Sequence, residues 1–148
     1  PGRIAPGAAS DVPAITLDVM PTLLALAQVP IPLDRPLDGR DLTPVLLEGK
    51  SLPPRPLYWA SLSNNGARSE ALRDGTWKLV VNHPRAAPGS FEHERLELYR
   101  LDSDPGEQVD LLESHPDRAA QMHARLREWY AATQATATPQ LGGWPTAN

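Results

Sequence analysis

The chain has 148 residues, enough for one domain with a hydrophobic core, and its 41% hydrophobic and 22% charged residues are ordinary for a globular protein. A formal net charge of −4 gives no support for a nucleic-acid surface, and no apolar run reaches the length of about 18–20 residues that a membrane span needs. Because there is no cysteine, disulfides, thiolate metal sites and cysteine nucleophiles are excluded. The 17 prolines are scattered, which predicts many chain reversals and short elements.

The first helix is predicted over residues 18–28. Asp18 is expected to cap it, because its carboxylate can accept hydrogen bonds from amides of the first turn. Leu23, Leu24 and Leu26 spread apolar surface around most of the circumference. We therefore expect this short helix to be buried on several sides.

After this helix, the sequence predicts a linker with one helical turn at 42–47, ended by Gly49. Strand-like sequence follows. The predicted strands are residues 57–60, 69–73, 76–81 and 95–101. Asp74-Gly75 lies between two of them and predicts a tight hairpin, since both turn positions favour a positive φ. Trp77, Leu79 and Val81 alternate with Thr76, Lys78 and Val80, which indicates a sheet with one packed face.

A longer amphipathic helix is predicted near the C-terminus, with Ser114 as its N-cap and Pro116 in its first turn. Its apolar stripe consists of Ala119, Met122, Leu126, Trp129 and Ala132. The predicted fold class is therefore α+β: a small four-stranded antiparallel sheet packed by a C-terminal amphipathic helix.

Several short motifs stand in a fixed order along the chain. They are Asp18-x-x-Pro21-Thr22-Leu23-Leu24-x-Leu26-Ala27, Arg35-Pro-Leu-Asp38-Gly39, Leu57-Tyr58-Trp59, Trp77-Lys78-Leu79, Leu98-Tyr99-x-Leu101 and Asp104-Pro105-x-Glu107. In this order and spacing they resemble the C-terminal portion of the sulfatases, the arylsulfatase-type sulfuric ester hydrolases of the alkaline phosphatase superfamily.

The resemblance implies a domain organisation. Residues 1–50 correspond to the tail of a larger upstream α/β catalytic domain, and residues 51–148 to the small C-terminal subdomain. The chain begins Pro1-Gly2 without a leader, which we interpret as a piece of a longer protein. The expected partners are the upstream catalytic domain and, in the intact enzyme, a sulfate-ester substrate, with neither nucleic acid nor a membrane span.

The same resemblance implies catalysis by a formylglycine nucleophile, made in a Cys/Ser-x-Pro-x-Arg motif, and by a calcium ion. In the family these groups lie upstream, so no catalytic, cofactor-binding or metal-binding residue is assigned in this chain, and we expect the chain alone to be inactive. Ser51-Leu-Pro-Pro-Arg55 matches the motif literally, but it stands in a proline-rich linker before a strand rather than at the start of a helix. We interpret that match as coincidence.

Other polar residues are interpreted as structural. His83 and His93 are expected to be exposed loop residues, and His115 and His123 to be solvated on the last helix. Lys78 is expected on the outer sheet face, and Asp104-Pro-Gly-Glu107 as a turn rather than a calcium loop. Candidates for the rim of a substrate cleft in the intact enzyme are Asn64, Asn65, Arg68, His83 and Arg85.

The sequence departs from the family pattern at three surface or capping positions. Gln28 stands where glycine is frequent, Arg100 where aspartate is common, and Asp110 where asparagine usually precedes Leu111. Two alternatives to a sulfatase fragment remain. One is a free-standing interaction or dimerisation module that kept this fold, and the other is a piece of a related phosphoryl or phosphonate hydrolase.

Overall fold

The computed structural model describes residues 2–34, 36–62, 67–83 and 94–136. The chain divides into two compact units, Pro1–Pro54 and Arg55–Asn148, called here the N-terminal and C-terminal units. In the described part of the chain, no helix is long and apolar enough to cross a membrane.

The N-terminal unit is organised around Asp18. A 3₁₀ turn, Thr16–Asp18, leads into helix α1, Val19–Leu26. Asp18 occupies the N-cap position of α1 as predicted, but the predicted capping bond is wrong, because its fully buried carboxylate makes no hydrogen bond to the first turn of α1. It accepts hydrogen bonds from the backbone amides of Ile15 at 2.9 Å and Arg40 at 2.8 Å. Asp18 therefore ties the approach to α1 to the segment that follows the turn at residues 38–39.

Gly39 is required where that segment crosses α1. A Cβ built on Gly39 would lie 1.9 Å from the carbonyl oxygen of Leu17, so no other residue fits without a backbone shift. Thr22 reinforces the crossing, since its hydroxyl accepts a hydrogen bond from the Leu42 amide at 2.9 Å and donates to the Asp18 carbonyl at 2.6 Å. The Asp38-Gly39 turn thus brings the linker onto the start of α1.

Helix α1 ends in a left-handed residue. The Gln28 amide donates to the Ala25 carbonyl at 3.1 Å and the Val29 amide to the Leu24 carbonyl at 2.9 Å. Gln28 has φ of 56°, so this is a Schellman C-cap with glutamine at the position that glycine usually takes. The predicted capping role of this position is confirmed, and the helix is shorter than residues 18–28.

The apolar surface of α1 is open in this chain. Buried residues on α1 are Pro21 and Thr22, whereas Leu23 is 56% exposed and Leu26 is 42% exposed. The expectation of burial on several sides is therefore wrong for this chain. The exposed apolar residues on and beside the helix, called here the α1 surface, are Leu17, Val19, Met20, Leu23, Leu26 and Val29. Helix α2, Thr43–Glu48, follows, and Gly49 at φ of 63° ends it as predicted.

The C-terminal unit contains a four-stranded antiparallel sheet in the order β1-β2-β3-β4. The strands are β1 Leu57–Leu62, β2 Arg68–Asp74, β3 Trp77–His83 and β4 Arg95–Arg100. A tight turn does join β2 and β3, but its two residues are Gly75, at φ of 61°, and Thr76 rather than Asp74-Gly75, because Asp74 pairs with Trp77 as the last residue of β2. The predicted α+β sheet is confirmed.

One face of the sheet is covered by helix α3, Pro116–Thr136. The core is built from residues that alternate along the strands and recur every three or four positions along the helix. It consists of Leu72, Leu79, Val81, Leu98, Ala119, Met122 and Leu126. Trp129 packs against this core and stacks on Tyr58 with ring centroids 4.9 Å apart. The predicted stripe is confirmed up to Trp129.

Two details of the α3 prediction are wrong. Ala132 is exposed, because the helix has by then passed the last core layer. Ser114 is not the N-cap: its hydroxyl donates to the Leu111 carbonyl at 3.0 Å, and the helical bonding starts with the Ala119 amide on the carbonyl of His115.

The outer edge of β4 is closed by the segment that precedes α3. Asp110 Oδ1 accepts the Leu98 amide at 2.9 Å and the Leu112 amide at 2.9 Å. The Leu111 amide donates to the Leu98 carbonyl at 2.7 Å. These bonds satisfy polar groups of Leu98 that an edge strand would otherwise present to another chain.

Candidate functional site

Polar side chains lie on the packed face of the sheet where β2 begins and β3 ends. Leu72 belongs to the core, and Arg68 and Glu70 precede it at alternate positions on the same strand face. His83, the last residue of β3, is opposite Arg68 in the strand register. All three residues are buried, and the Glu70 side chain is fully so. Burial of these groups requires charge partners nearby.

The first such partner is within the strand. Arg68 Nε lies 2.9 Å from Glu70 Oε1, which makes a buried ion pair. Arg68 Nη2 lies 3.1 Å from Nε2 of His83. The other face of the guanidinium meets helix α3, where Nη1 donates to the Tyr130 hydroxyl at 3.2 Å and Cζ lies 4.8 Å from the ring centroid. Arg68 thus joins both strands to the helix.

Glu94, the residue before β4, lies near a second set of nitrogen groups. Its carboxylate accepts a hydrogen bond from Arg127 Nη1 at 2.9 Å and lies 3.2 Å from His123 Nε2. His123 and Arg127 are one turn apart on α3 and so face the same way. Glu94 Oε1 is also 3.8 Å from His83 Nδ1. The residues joined in this way, called here the polar cluster, are Arg68, Glu70, His83, Glu94, His123, Arg127 and Tyr130.

The protonation of His83 is set by its neighbours. Desolvation by burial, followed by the positive charge of Arg68, lowers the pKa of His83 below its ordinary value of 6.5, against the opposing attraction of Glu70 and Glu94. A neutral ring also fits the hydrogen bonding, because the Arg68 guanidinium can only donate and His83 Nε2 must therefore accept. The proton of the neutral ring is then on Nδ1, the ring nitrogen farther from Arg68 Nη2 at 3.5 Å, which lies 3.8 Å from Glu94 Oε1.

The chemistry open to the polar cluster is charge compensation and hydrogen bonding. Apart from its histidines, its two arginines balance its two glutamates. Within the described ranges, no group of three or more His, Asp and Glu residues has an arrangement that would hold a metal ion. The cluster therefore fits the role of a buried support that fixes the ends of β2 and β3 against α3.

The structure locates only some of the predicted site residues. Arg68 and His83 come together in the polar cluster. Asn64, Asn65 and Arg85 lie outside the described residues, as does His93. The expectation that His83 is an exposed loop residue is wrong: β3 extends to it, and it is 6% exposed. His123 is half-buried against Glu94, whereas His115 is exposed as expected.

Three other sequence features have structural roles. Ser51 is exposed in the stretch between α2 and β1, and no helix begins there. Lys78 pairs with Glu107, with Nζ 2.6 Å from Oε1. The Asp104 carboxylate accepts the backbone amides of Gln108 at 2.8 Å and Val109 at 2.9 Å, which lower its pKa. The turn interpretation of Asp104 is confirmed.

Sequence reasoning missed Glu70, Glu94, Arg127 and Tyr130. A signal for Glu70 exists: Arg68-x-Glu70-x-Leu72 is in phase with the core, so two charged residues had to be buried together. Glu94 and Arg127 gave no comparable signal, because their partnership depends on how α3 crosses the sheet.

Comparison with known proteins gives a consistent picture. No family model matches the chain. Human arylsulfatase A is 36% identical over 126 residues, which are 76% of this chain and 24% of that protein. A sulfatase of Formosa agariphila is 28% identical over 145 residues, covering 91% of this chain and 26% of its own length. The chain thus spans about a quarter of the length of these relatives.

Solved structures resemble the fold. The protein BT4656, solved in complex with its substrate D-glucosamine-2-N,6-O-disulfate, superposes with a TM-score of 0.62 at 20% sequence identity. The match covers 84% of this chain and 25% of that protein. At this identity the likeness shows the fold alone.

Proposed function

We propose that this chain, which belongs to the sulfatases as their C-terminal portion, serves a longer sulfuric ester hydrolase as a supporting subdomain and hydrolyses no sulfate ester by itself. The observation that carries this proposal is the match to human arylsulfatase A, which extends over 76% of this chain but only 24% of the relative. What the relative does as a whole therefore draws on residues with no counterpart in this chain.

The α1 surface supports a partner for the N-terminal unit. Leu23 and Met20 are 56% and 58% exposed in a helix where most residues are apolar. Large contiguous apolar patches on a protein surface mark sites of protein contact. We propose that an upstream α/β catalytic domain covers this surface, and that residues 1–50 are its tail.

The resemblance implies calcium and formylglycine for the intact enzyme. The described residues of this chain do not fit either group. They offer no metal-binding arrangement, and the chain has no cysteine. Ser51 is not placed as the family nucleophile would be, at the start of a helix where the amides stabilise an anion. We derive no catalytic step from these groups.

The β1–β2 and β3–β4 connections of the sheet are proposed to face the substrate of the intact enzyme. Asn64, Asn65 and Arg85 are the proposed rim residues, with an arginine suited to bind a sulfate or carboxylate through two parallel hydrogen bonds. Arg68 and His83, the other two candidates, are buried at the ends of the strands that enter these connections. For them we propose a positioning role beneath the rim.

A first experiment measures hydrolysis of 4-nitrophenyl sulfate by the purified 148-residue chain, with and without added calcium, beside the variant Ser51→Ala. We expect the same uncatalysed rate in all samples. Turnover by the wild-type chain that disappears in Ser51→Ala would overturn the proposal that the chain is inactive alone.

A second experiment reads the coding DNA upstream of Pro1. An open frame with a Cys/Ser-x-Pro-x-Arg motif and paired aspartates would support a sulfatase subdomain. A start codon directly before Pro1 would instead favour the free-standing interaction module. A frame with phosphoryl- or phosphonate-transfer residues and no such motif would favour the related hydrolase.

A further inference from the structure

His83 lies between one hydrogen bond that requires a neutral ring and two carboxylates that favour a charged one. Its Nε2 accepts from Arg68 Nη2 at 3.1 Å. The same Nε2 is 3.8 Å from Glu70 Oε2, and Nδ1 is 3.8 Å from Glu94 Oε1. Both carboxylate distances are too long for hydrogen bonds. They are short enough for each carboxylate to attract a charged imidazolium ring.

Among the described residues, the strand, the helix and the segment before β4 that lie near His83 each contribute charged or titratable groups. Strand β2 supplies Arg68 and Glu70, and the residue before β4 is Glu94. Helix α3 supplies Arg127 and His123, both on Glu94, and Tyr130, on Arg68. A change in the charge of His83 therefore alters its contacts with β2 and with Glu94, and through these residues the contacts with helix α3.

We propose that His83 is a proton-operated switch that exchanges Arg68 for Glu94 as its partner and so loosens or tightens the end of the β3–β4 pair against α3. Neutral His83 accepts from Arg68. Protonation places a hydrogen on Nε2, which removes the acceptor and turns this contact into a repulsion between two cations. The charged ring then pairs with Glu94 through Nδ1–H, in competition with Arg127. This inference concerns the C-terminal unit alone and does not depend on the proposed function.

The direction of the switch follows from the burial. Desolvation and the Arg68 charge lower the pKa of His83 below 6.5, so the neutral, Arg68-bound state prevails at neutral pH. Acid conditions below that value populate the Glu94-bound state. The Glu94 hydrogen bond to Arg127, at 2.9 Å, carries the change to α3.

The test is an NMR titration of the histidine ring protons in the complete chain, with assignment by single His→Gln variants. His83→Gln is the test variant, because glutamine retains an acceptor for Arg68 and does not titrate. His115→Gln is the matched control on an exposed histidine. We expect the His83 midpoint below 6.5, and we expect the Arg68 and Arg127 side-chain N–H signals to shift with the same midpoint in wild type and in His115→Gln. Those shifts should be absent from His83→Gln.

Two further variants should shift the titration midpoint of His83 in opposite directions. Glu94→Gln removes an attracting charge and should move the His83 midpoint to lower pH. Arg68→Met removes a repelling charge and should move it to higher pH, and Arg68→Lys serves if Arg68→Met does not fold, because it keeps the charge and should leave the midpoint close to wild type. A wild-type midpoint at or above 6.5, arginine signals that do not follow it, or shifts of the same sign in Glu94→Gln and Arg68→Met would each overturn the switch.

Discussion

Glu70 has a fully buried side chain, and its carboxylate depends on Arg68, whose Nε lies 2.9 Å away. At that separation two unit charges attract by on the order of 5 kcal/mol for an effective dielectric constant near 20. Much of this attraction is offset by the cost of removing both charges from water, so the net stabilisation by the pair is small. Removal of one partner lowers the stability much more, because the remaining charge is then buried without its counter-ion.

The variant Glu70→Leu therefore has a predictable cost. Loss of one member of a buried pair typically destabilises a protein by about 3–5 kcal/mol. That is a large fraction of the about 5–15 kcal/mol that stabilise a domain. The double variant Glu70→Leu/Arg68→Met removes both charges and keeps apolar volume, so we expect it to recover most of the loss.

Urea unfolding followed by tryptophan fluorescence measures these differences. Trp129 stacks on Tyr58, so its emission reports the separation of α3 from the sheet. Glu97→Leu is the matched control: Glu97 on β4 pairs at 3.0 Å with Arg95, whose side chain is 75% exposed, and accepts a hydrogen bond from Asn82 Nδ2 at 3.2 Å, so neither of its partners is fully buried. We expect the control to cost less than about 1 kcal/mol. A comparably small cost for Glu70→Leu, or a double variant no more stable than the single one, would refute the reasoning.

Three other changes have defined outcomes. Gln28→Gly should raise the unfolding free energy of the N-terminal unit by about 1 kcal/mol, measured by circular dichroism in urea, because Gln28 is held at φ of 56°. Asp110→Asn should be nearly neutral, since one oxygen, Oδ1, accepts both the Leu98 and Leu112 amides, whereas Asp110→Ala should cost about 1 kcal/mol and speed hydrogen exchange at Leu98. The stability contributed by neutral His83 should be complete above pH 6.5 and lost as the pH falls below it, since the unfolded chain then binds the proton more readily. In His83→Gln the dependence of unfolding free energy on pH should be shallower over that range, and an unchanged slope would contradict the assignment.

The sheet and its helix could be predicted from the sequence because local signals agreed with one another. The Asp-Gly signal located the β2–β3 hairpin, although the turn lies one residue later, at Gly75-Thr76, and alternation placed Leu79 and Val81 in the core. The family departures also have local explanations. Gln28 occupies a glycine position in a Schellman motif, and Asp110 supplies the single acceptor oxygen that an asparagine would offer equally well.

The polar cluster could not be predicted in the same way. Glu94 and Arg127 are far apart in sequence, and their contact depends on how α3 crosses the sheet. Asp18 shows the same limit at short range. Its position before a helix predicts a cap, but the close approach at Gly39 offers its carboxylate the Arg40 amide instead. Tertiary contacts that compete with a local motif cannot be predicted from the residues of that motif alone.

The closed edge of β4 has a consequence for self-association. Among the described residues, the segment around Asp110 and Leu111 occupies that edge at Leu98, and β1 is the other edge strand of the sheet. Two copies joined through β1 in a two-fold arrangement would use up the available edge on both, and the result would be a closed pair. Growth of a β-ladder into a fibre needs two open edges on every copy. The bonds at Leu98 therefore oppose growth of a ladder from the β4 side of the described sheet.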